Sequence, residues 1–425
     1  MKILIKNGHV IDPKNNIDSK LDVFIAAGKI VGLGKSPDGF VANQTIEARG
    51  LVVCPGLVDL STRLREPGNE YKATLESELQ AAVAGGVTSL ACQPDTNPVL
   101  DEPGLVEMLK HRTKQLNLAR VYPLGALTRQ LQGKELAEMA ALREAGCVGY
   151  SQANIAITDT QVLWRAMEYA ATFGFTLFLH AEEPFLAKGG VAHDGEVASR
   201  LGLKGIPSAA EALALASILR IAKETGARVH ISRLSTADGV DMIRDAKKQG
   251  VNISCDVSAN QLHLTEHDIA YFDANCHLKP PLRTQRDKEA LSAGLKDGTV
   301  DAICSDHTPV DDDAKFAPFA EAEFGATGLE LLLALTLKWA QQEKIAISHA
   351  IACISSASAS ILGIPAGDLS VNANADICIF DANEYWKVDP NALKSQGKNT
   401  PFNGLEIAGK VKITLVHGQV VHQSE

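Results

Sequence analysis

Between residues 53 and 364, short apolar runs end in polar or reactive residues. Each run is followed by a stretch in which apolar positions recur every three or four residues. The runs are Val53–Leu57, Thr88–Cys92, Val121–Leu124, Cys147–Tyr150, Thr176–Leu179, Ala227–Ile231, Val251–Cys255 and Asp301–Cys304. Segments between them, such as Ala209–Glu224 and Gly239–Gln249, carry the spacing of amphipathic helices, while the short runs read as buried strands. Eight strands alternating with helices predict an α/β chain folded as a (β/α)₈ barrel of the TIM type, with its chemistry where the strands end.

The pattern differs at the two ends. Residues 1–52 read as short strands, Ile3–Lys6, Leu21–Ala26, Lys29–Leu33, Gln44–Glu47 and Leu51–Val53, with turns at Asn7-Gly8 and Ala27-Gly28. After Leu362-Gly363-Ile364-Pro365 strands return at Ala375–Phe380, Val411–Val416 and Gly418–Val421. Residues 1–52 and 365–425 are therefore expected to pair into one small, β-sandwich-like domain beside a barrel of residues 53–364.

Composition narrows the function classes. The 425 residues suffice for one barrel and an accessory domain, and 45% apolar with 22% charged residues is ordinary for a globular chain. A net charge of −10 without any basic run argues against nucleic-acid partners and anionic membranes. No apolar stretch reaches the roughly 18–20 residues needed to span a bilayer. Lys2-Ile3-Leu4-Ile5-Lys6 reads as a strand rather than the core of a signal peptide. The eight cysteines stand singly, which predicts buried, reduced thiols in a cytoplasmic protein.

Ordered motifs then identify a family. Cys54-Pro55-Gly56-Leu57-Val58-Asp59 with Leu64-Arg65-Glu66-Pro67-Gly68 resembles the first barrel strand of dihydroorotases, in the amidohydrolase superfamily. Ala84-Gly85-Gly86-Val87-Thr88 leading to Gln93-Pro94-Asp95-Thr96-Asn97-Pro98 resembles the second strand, and Leu179-His180-Ala181-Glu182 the end of the fifth. Pro280-Pro281-Leu282-Arg283, Ala302-Ile303-Cys304-Ser305-Asp306-His307, Phe324-Gly325-Ala326-Thr327-Gly328-Leu329-Glu330 and Gly397-Lys398-Asn399-Thr400-Pro401-Phe402 continue the resemblance in order, nearly end to end.

The resemblance implies metal-assisted opening or closure of a cyclic amide, in which a zinc-bound hydroxide attacks the ring carbonyl and a late Asp shuttles the proton. It also implies six ligand places, of which this chain departs at four. Ser61 and Arg63 stand where a His-x-His belongs. Gln152 and Ala153 stand where the fourth strand should supply a carboxylate, and Arg233 replaces the sixth-strand histidine. His180 and Asp306 survive as vestiges of the catalytic and metal set. A zinc site needs about three or four neutral or anionic ligands. Arg63 and Arg233 are permanently charged, and each would repel a dication about 4 Å away by several kcal/mol at an effective dielectric of roughly 20. No cofactor is therefore expected.

The substrate side is eroded in the same sense. Arg65, the family's carboxylate holder, is present, but the neighbouring amide donor is replaced by Asp95, leaving Arg65 and Asp95 as the ligand-binding candidates. Asn260-Gln261 stands for a His-His pair, Lys279 for an Asn, and Val310 for a His. His180 reads either as a hydrogen-bonded strand-end residue or as a remnant of chemistry, and Asp306 either as an ion-pair partner of Arg63 or Arg233 or as a proton shuttle. His307 and His230 read as packed or supporting residues, and His263, His267 and His277 lie in a polar stretch without ligand spacing. Asp311–Asp313 reads as a solvated, mobile loop or a cation site.

The leading reading is a catalytically inactive dihydroorotase-like protein. The resemblance is to the non-catalytic type that serves as structural partner of aspartate carbamoyltransferase in pyrimidine biosynthesis, in a homo- or hetero-oligomer. One alternative is an active dihydroorotase or related cyclic-amide hydrolase with a rearranged zinc site. Another is a sensor of a small acidic metabolite at an arginine-lined mouth.

Overall fold

The computed structural model describes residues 1–424. Eight strands, Leu57–Thr62, Val87–Cys92, Arg120–Ala126, Gly149–Ser151, Thr176–Leu179, Arg228–Ile231, Ile253–Ser258 and Ala302–Cys304, pair in that order, every neighbouring pair parallel. The cylinder closes just beyond the eighth strand. Arg63 N–H donates to His307 O at 2.9 Å, and His307 N–H donates to Ser61 O at 3.1 Å. Every residue of the first, second, fifth and eighth strands is buried. Burial on both faces explains why these segments read as continuous apolar runs.

The helices between them are bounded by local chemistry. Thr74, Thr236 and Thr284 cap helices Leu75–Ala84, Ala237–Lys248 and Gln285–Asp297 through their side-chain oxygens. Gly174 and Gly226 end helices Thr160–Phe173 and Ser208–Thr225 in the left-handed conformation. No helix among the described residues is long and apolar enough to cross a membrane.

Both chain ends enter a second sheet, ordered Gln419–Gln423, Glu406–Val416, Ile377–Lys387, Val52–Pro55, Lys2–Asp12, Ile17–Ala26 and Lys29–Leu33. Gln44–Glu47 also pairs with Lys2–Asp12. The unit expected to resemble a sandwich is thus one hydrogen-bonded sheet, with a core that includes Ile3, Ile5, Val23, Val53, Ile377 and Leu415.

Three local expectations are corrected. The run Val53–Leu57 divides at Gly56: Val52–Pro55 pairs with Ile377–Lys387 in the second sheet, and the first barrel strand begins at Leu57. A Cβ on Gly56 would lie 2.1 Å from Thr88 Oγ1, so only glycine lets the chain pass between the two sheets there. Asn7-Gly8 is not a turn but an irregularity within the continuous strand Lys2–Asp12, where a Cβ on Gly8 would meet Val53 Cγ2 at 2.5 Å. The fourth and seventh barrel strands run further toward the mouth than expected, ending at Ser151 and Ser258. Ala27-Gly28 does form the hairpin turn, at φ of 50° and 75°. All eight cysteines are free and buried.

Candidate functional site

The strand ends converge on a mouth whose backbone is held in unusual conformations. Arg65, Ala153, Arg233 and Asp306 have φ of 63°, 50°, 59° and 51°, left-handed values that side-chain-bearing residues seldom adopt. Such strain persists where the surroundings over-determine it. Here buried carboxylates supply part of that constraint. Asp256 Oδ1 accepts Arg233 N–H at 2.6 Å, and Asp59 Oδ1 accepts Ser305 N–H at 3.0 Å.

The mouth is filled by two guanidiniums and two carboxylates. Arg233 Nη1 lies 3.0 Å from Asp306 Oδ1 and donates to Lys279 O at 3.3 Å, while its Nη2 donates to Asn154 Oδ1. Arg63 Nε donates to Asp95 Oδ2 at 2.7 Å and Nη1 to Thr308 Oγ1 at 3.0 Å, with Nη1 also 3.8 Å from Asp306 Oδ1. Arg63 and Arg233 are only 3% and 2% exposed. Burial by itself would push the Arg63 guanidinium down, but the charges of Asp95 and Asp306 prevail and hold it above its ordinary value. Burial likewise opposes ionisation of Asp95, and the Arg63 charge outweighs it, keeping that carboxyl below the usual range.

Asp95 therefore faces a cation within the chain, although the sequence singled it out as a ligand-binding candidate. Arg65 Nε donates to Pro309 O at 2.7 Å, and burial, followed by the neighbouring Arg63, lowers its pKa.

His180 is not hydrogen-bonded. Its side chain is 4% exposed, neither ring nitrogen has a partner, and Nε2 is 3.8 Å from Glu182 Oε2, beyond hydrogen-bonding reach. Burial lowers its pKa, which favours the neutral ring. Glu182 Oε1 is paired with Lys279 Nζ at 2.8 Å. At the other departed ligand places, Gln152 spends its amide on Leu131 O and on the Thr128 hydroxyl, and Ala153 N–H donates to Ser151 Oγ. Ser61 Oγ is buried without a partner.

Four further histidines bond within the chain. His307 Nε2 donates to Glu78 Oε2 at 2.6 Å, while its Nδ1 accepts Gly328 N–H at 3.1 Å. Glu78 also accepts Ser395 Oγ–H at 2.7 Å and Gln396 N–H at 3.0 Å, tying the first helix, the eighth-strand loop and a C-terminal loop together. His230 sits between Ser254 Oγ at 2.9 Å and Asp256 Oδ2 at 3.0 Å. His263 and His277, both half-buried, bond to the carbonyls of Leu335 and Ala322. Asp311 and Asp312 lie in a loop, and Asp313 opens a helical turn, Asp313–Phe316.

Sequence reasoning missed Glu78, Asp256 and Asn154. Glu78 and Asp256 are charged residues at inward positions of apolar elements, a mismatch visible in the sequence. The pairing of Asn154 with Arg233 had no such signal.

The residues at the ligand places do not fit a zinc ion. Guanidinium groups stand at two of them and cannot donate a lone pair. Asp306, the surviving carboxylate, is engaged by both arginines. Among the described residues no three His, Cys, Asp or Glu side chains converge as a metal site would require.

Comparison with known proteins agrees with the fold. A family model described as dihydro-orotase-like matches residues 50–239. A "Dihydroorotase-like protein" of Pseudomonas aeruginosa is 44% identical over 429 residues, covering 100% of both chains. A "Dihydroorotase" of Geobacter sp. strain M21 is 40% identical over 424 residues, again with 100% of both covered. Among solved structures, the L-hydantoinase (dihydropyrimidinase) of Arthrobacter aurescens superimposes with a TM-score of 0.88 at 24% identity, covering 99% of this chain and 96% of that one. That likeness concerns the fold: a barrel with a sheet built from both termini. Full-length identity of this order with dihydroorotases and their like, on this architecture, means that the chain belongs to the dihydroorotase-like family of cyclic-amide hydrolases.

Proposed function

We propose that this chain is a non-catalytic member of its family, acting as a structural partner of aspartate carbamoyltransferase in pyrimidine biosynthesis. One observation carries the loss of catalysis: Arg63 and Arg233 lie buried at ligand places and pair with Asp95 and Asp306. The reaction needs a metal to make hydroxide available near neutral pH and to polarise the carbonyl. A guanidinium does neither. It is too weak an acid to give up its proton and carries no coordination site.

The likeness to a "Dihydroorotase-like protein" of Pseudomonas aeruginosa supports setting this chain beside relatives not named simply as dihydroorotases. The partner is argued from the family resemblance of the sequence. Co-expression with the carbamoyltransferase of the same host, followed by sizing of the purified material, tests it. A stoichiometric complex is expected, and two separately eluting species would refute the partnership. The 40% identity to a "Dihydroorotase" favours the competing reading, a working hydrolase with a rearranged site. Dihydroorotate turnover by the metal-supplemented protein would decide for that reading.

A further inference from the structure

The loops that follow the seventh and eighth barrel strands carry side chains that the fold itself does not use. Segment 267–274 comes after the strand ending at Ser258, and segment 311–324 after the one ending at Cys304. Lys315 Nζ ties them together, donating to Ala274 O at 2.9 Å and to Glu323 O at 2.6 Å. Lys72 pairs with Glu323, and its Nζ lies 5.4 Å from the Tyr71 ring centroid, which brings residue 71 beside them. Ile269 and Phe319 turn inward to one shared core with Cys276 and Leu278. Outside stand Tyr71, Tyr271, Phe272, Phe316 and Phe324, five of the nine exposed aromatic side chains among the described residues. Isolated apolar side chains on a surface are ordinary, whereas a group of them rimmed by polar residues marks a binding face.

The same segments are acidic. Asp268, Asp273, Asp312, Asp313, Glu321 and Glu323 are all exposed. Among the described residues, only Glu323 of these six forms an ion pair, with Lys72. Lys315 is the one lysine or arginine in the two segments, and its ammonium is spent on the two carbonyls. A face with this charge repels nucleic acid and anionic bilayers, and it repels a second copy of itself across a two-fold axis. It fits a surface on which arginine or lysine stands among apolar side chains.

We propose that this face docks a protein surface of that chemistry and, resting on the function proposed above, that the surface belongs to the carbamoyltransferase. Burial of the aromatic rings supplies the affinity. The carboxylates speed the encounter and set which partner is accepted.

Biolayer interferometry between the full chain and the carbamoyltransferase of the same host tests this. Tyr271 and Phe316 are 98% and 83% exposed, so Tyr271→Ser with Phe316→Ser should leave folding intact and weaken binding by at least about tenfold. Asp312→Lys with Glu321→Lys should slow association by about tenfold at low salt, and parental association should slow as salt is raised. Phe185→Ser removes an aromatic ring that is 76% exposed on the short helix Pro184–Ala187 and should leave binding unchanged. A parent that binds, with a Tyr271→Ser, Phe316→Ser variant that binds as tightly, would overturn the surface and leave the partnership standing. Association indifferent to charge reversal and to salt would overturn it in the same way. A parent that does not bind would overturn both. A parent that self-associates through Tyr271 and Phe316 would show that a second copy occupies the face and would overturn the docking proposal.

Discussion

Arg233 and Asp306 form a buried ion pair across the barrel mouth, Nη1 to Oδ1 at 3.0 Å, and Arg63 stands 3.8 Å from the same carboxylate oxygen. Asp306 closes the eighth strand, where the family's ligand pattern would set its charge against a metal. A buried carboxylate without a counter-charge is driven to protonate or costs several kcal/mol. Two permanent cations from the ends of the first and sixth strands supply that counter-charge, and Asp95 balances Arg63.

If this network stabilises the fold, Arg63→Ala combined with Arg233→Ala should destabilise the chain by about 2–5 kcal/mol, because Asp306 is left buried and unpaired. Adding Asp306→Asn should recover part of the loss. Urea unfolding of the three proteins measures both, and a triple variant no more stable than the double would count against the pairing as the cause.

The purified protein is expected to carry well under one equivalent of zinc per chain and to show no dihydroorotate turnover after metal is added. Elemental analysis and a hydrolysis assay read this directly. Stoichiometric zinc with measurable turnover would reverse the reading of the site.

Restoring Ser61→His and Arg63→His together should not restore activity. Gln152, Ala153 and Arg233 would still leave the set short, and groups that act as a unit fail as a unit. Substantial turnover from those two changes would mean that the other ligands lie elsewhere.

Asp59 gives a pH signature. Burial raises its carboxyl from 3.8 to about 6, against the opposing bonds from Ser305 and Ser61. The folded state therefore holds this proton more tightly than the unfolded one. Its contribution to stability is fully present below about 3.8 and is lost as pH rises through about 6. Asp59→Asn should remove that component, so the stability difference between variant and parent should change between pH 4 and 6 and level off above. A difference independent of pH across that window would show that Asp59 does not titrate there.

Glu78 holds three donors from two distant segments: His307 after the eighth strand, and the consecutive Ser395 and Gln396. Glu78→Ala should cost about 3–5 kcal/mol, since it strands a buried imidazole N–H and opens a cavity beneath the first helix. Thermal unfolding would register it, and a loss below 1 kcal/mol would show that these donors find other partners.

The sequence by itself determined the barrel, because strands buried on both faces must be apolar throughout and the helices between them must carry a stripe. It also showed where this chain departs from the family's ligand pattern, since ligand places are fixed by strand ends and Ser61, Arg63 and Arg233 can be read there without coordinates. What only the tertiary structure decided is how the vacated places are filled. Asp95 answers Arg63, and Asn154 answers Arg233 together with Asp306, pairings between residues 32, 79 and 73 positions apart. No local periodicity encodes such partners. Nor could the sequence show that Val52–Pro55 belongs to the terminal sheet, because an apolar strand serves either sheet equally well until Gly56 lets the backbone cross beside Thr88. The unpartnered state of His180 is likewise a tertiary fact: a histidine's bonds depend on which loops close around it, and here none brings it a partner.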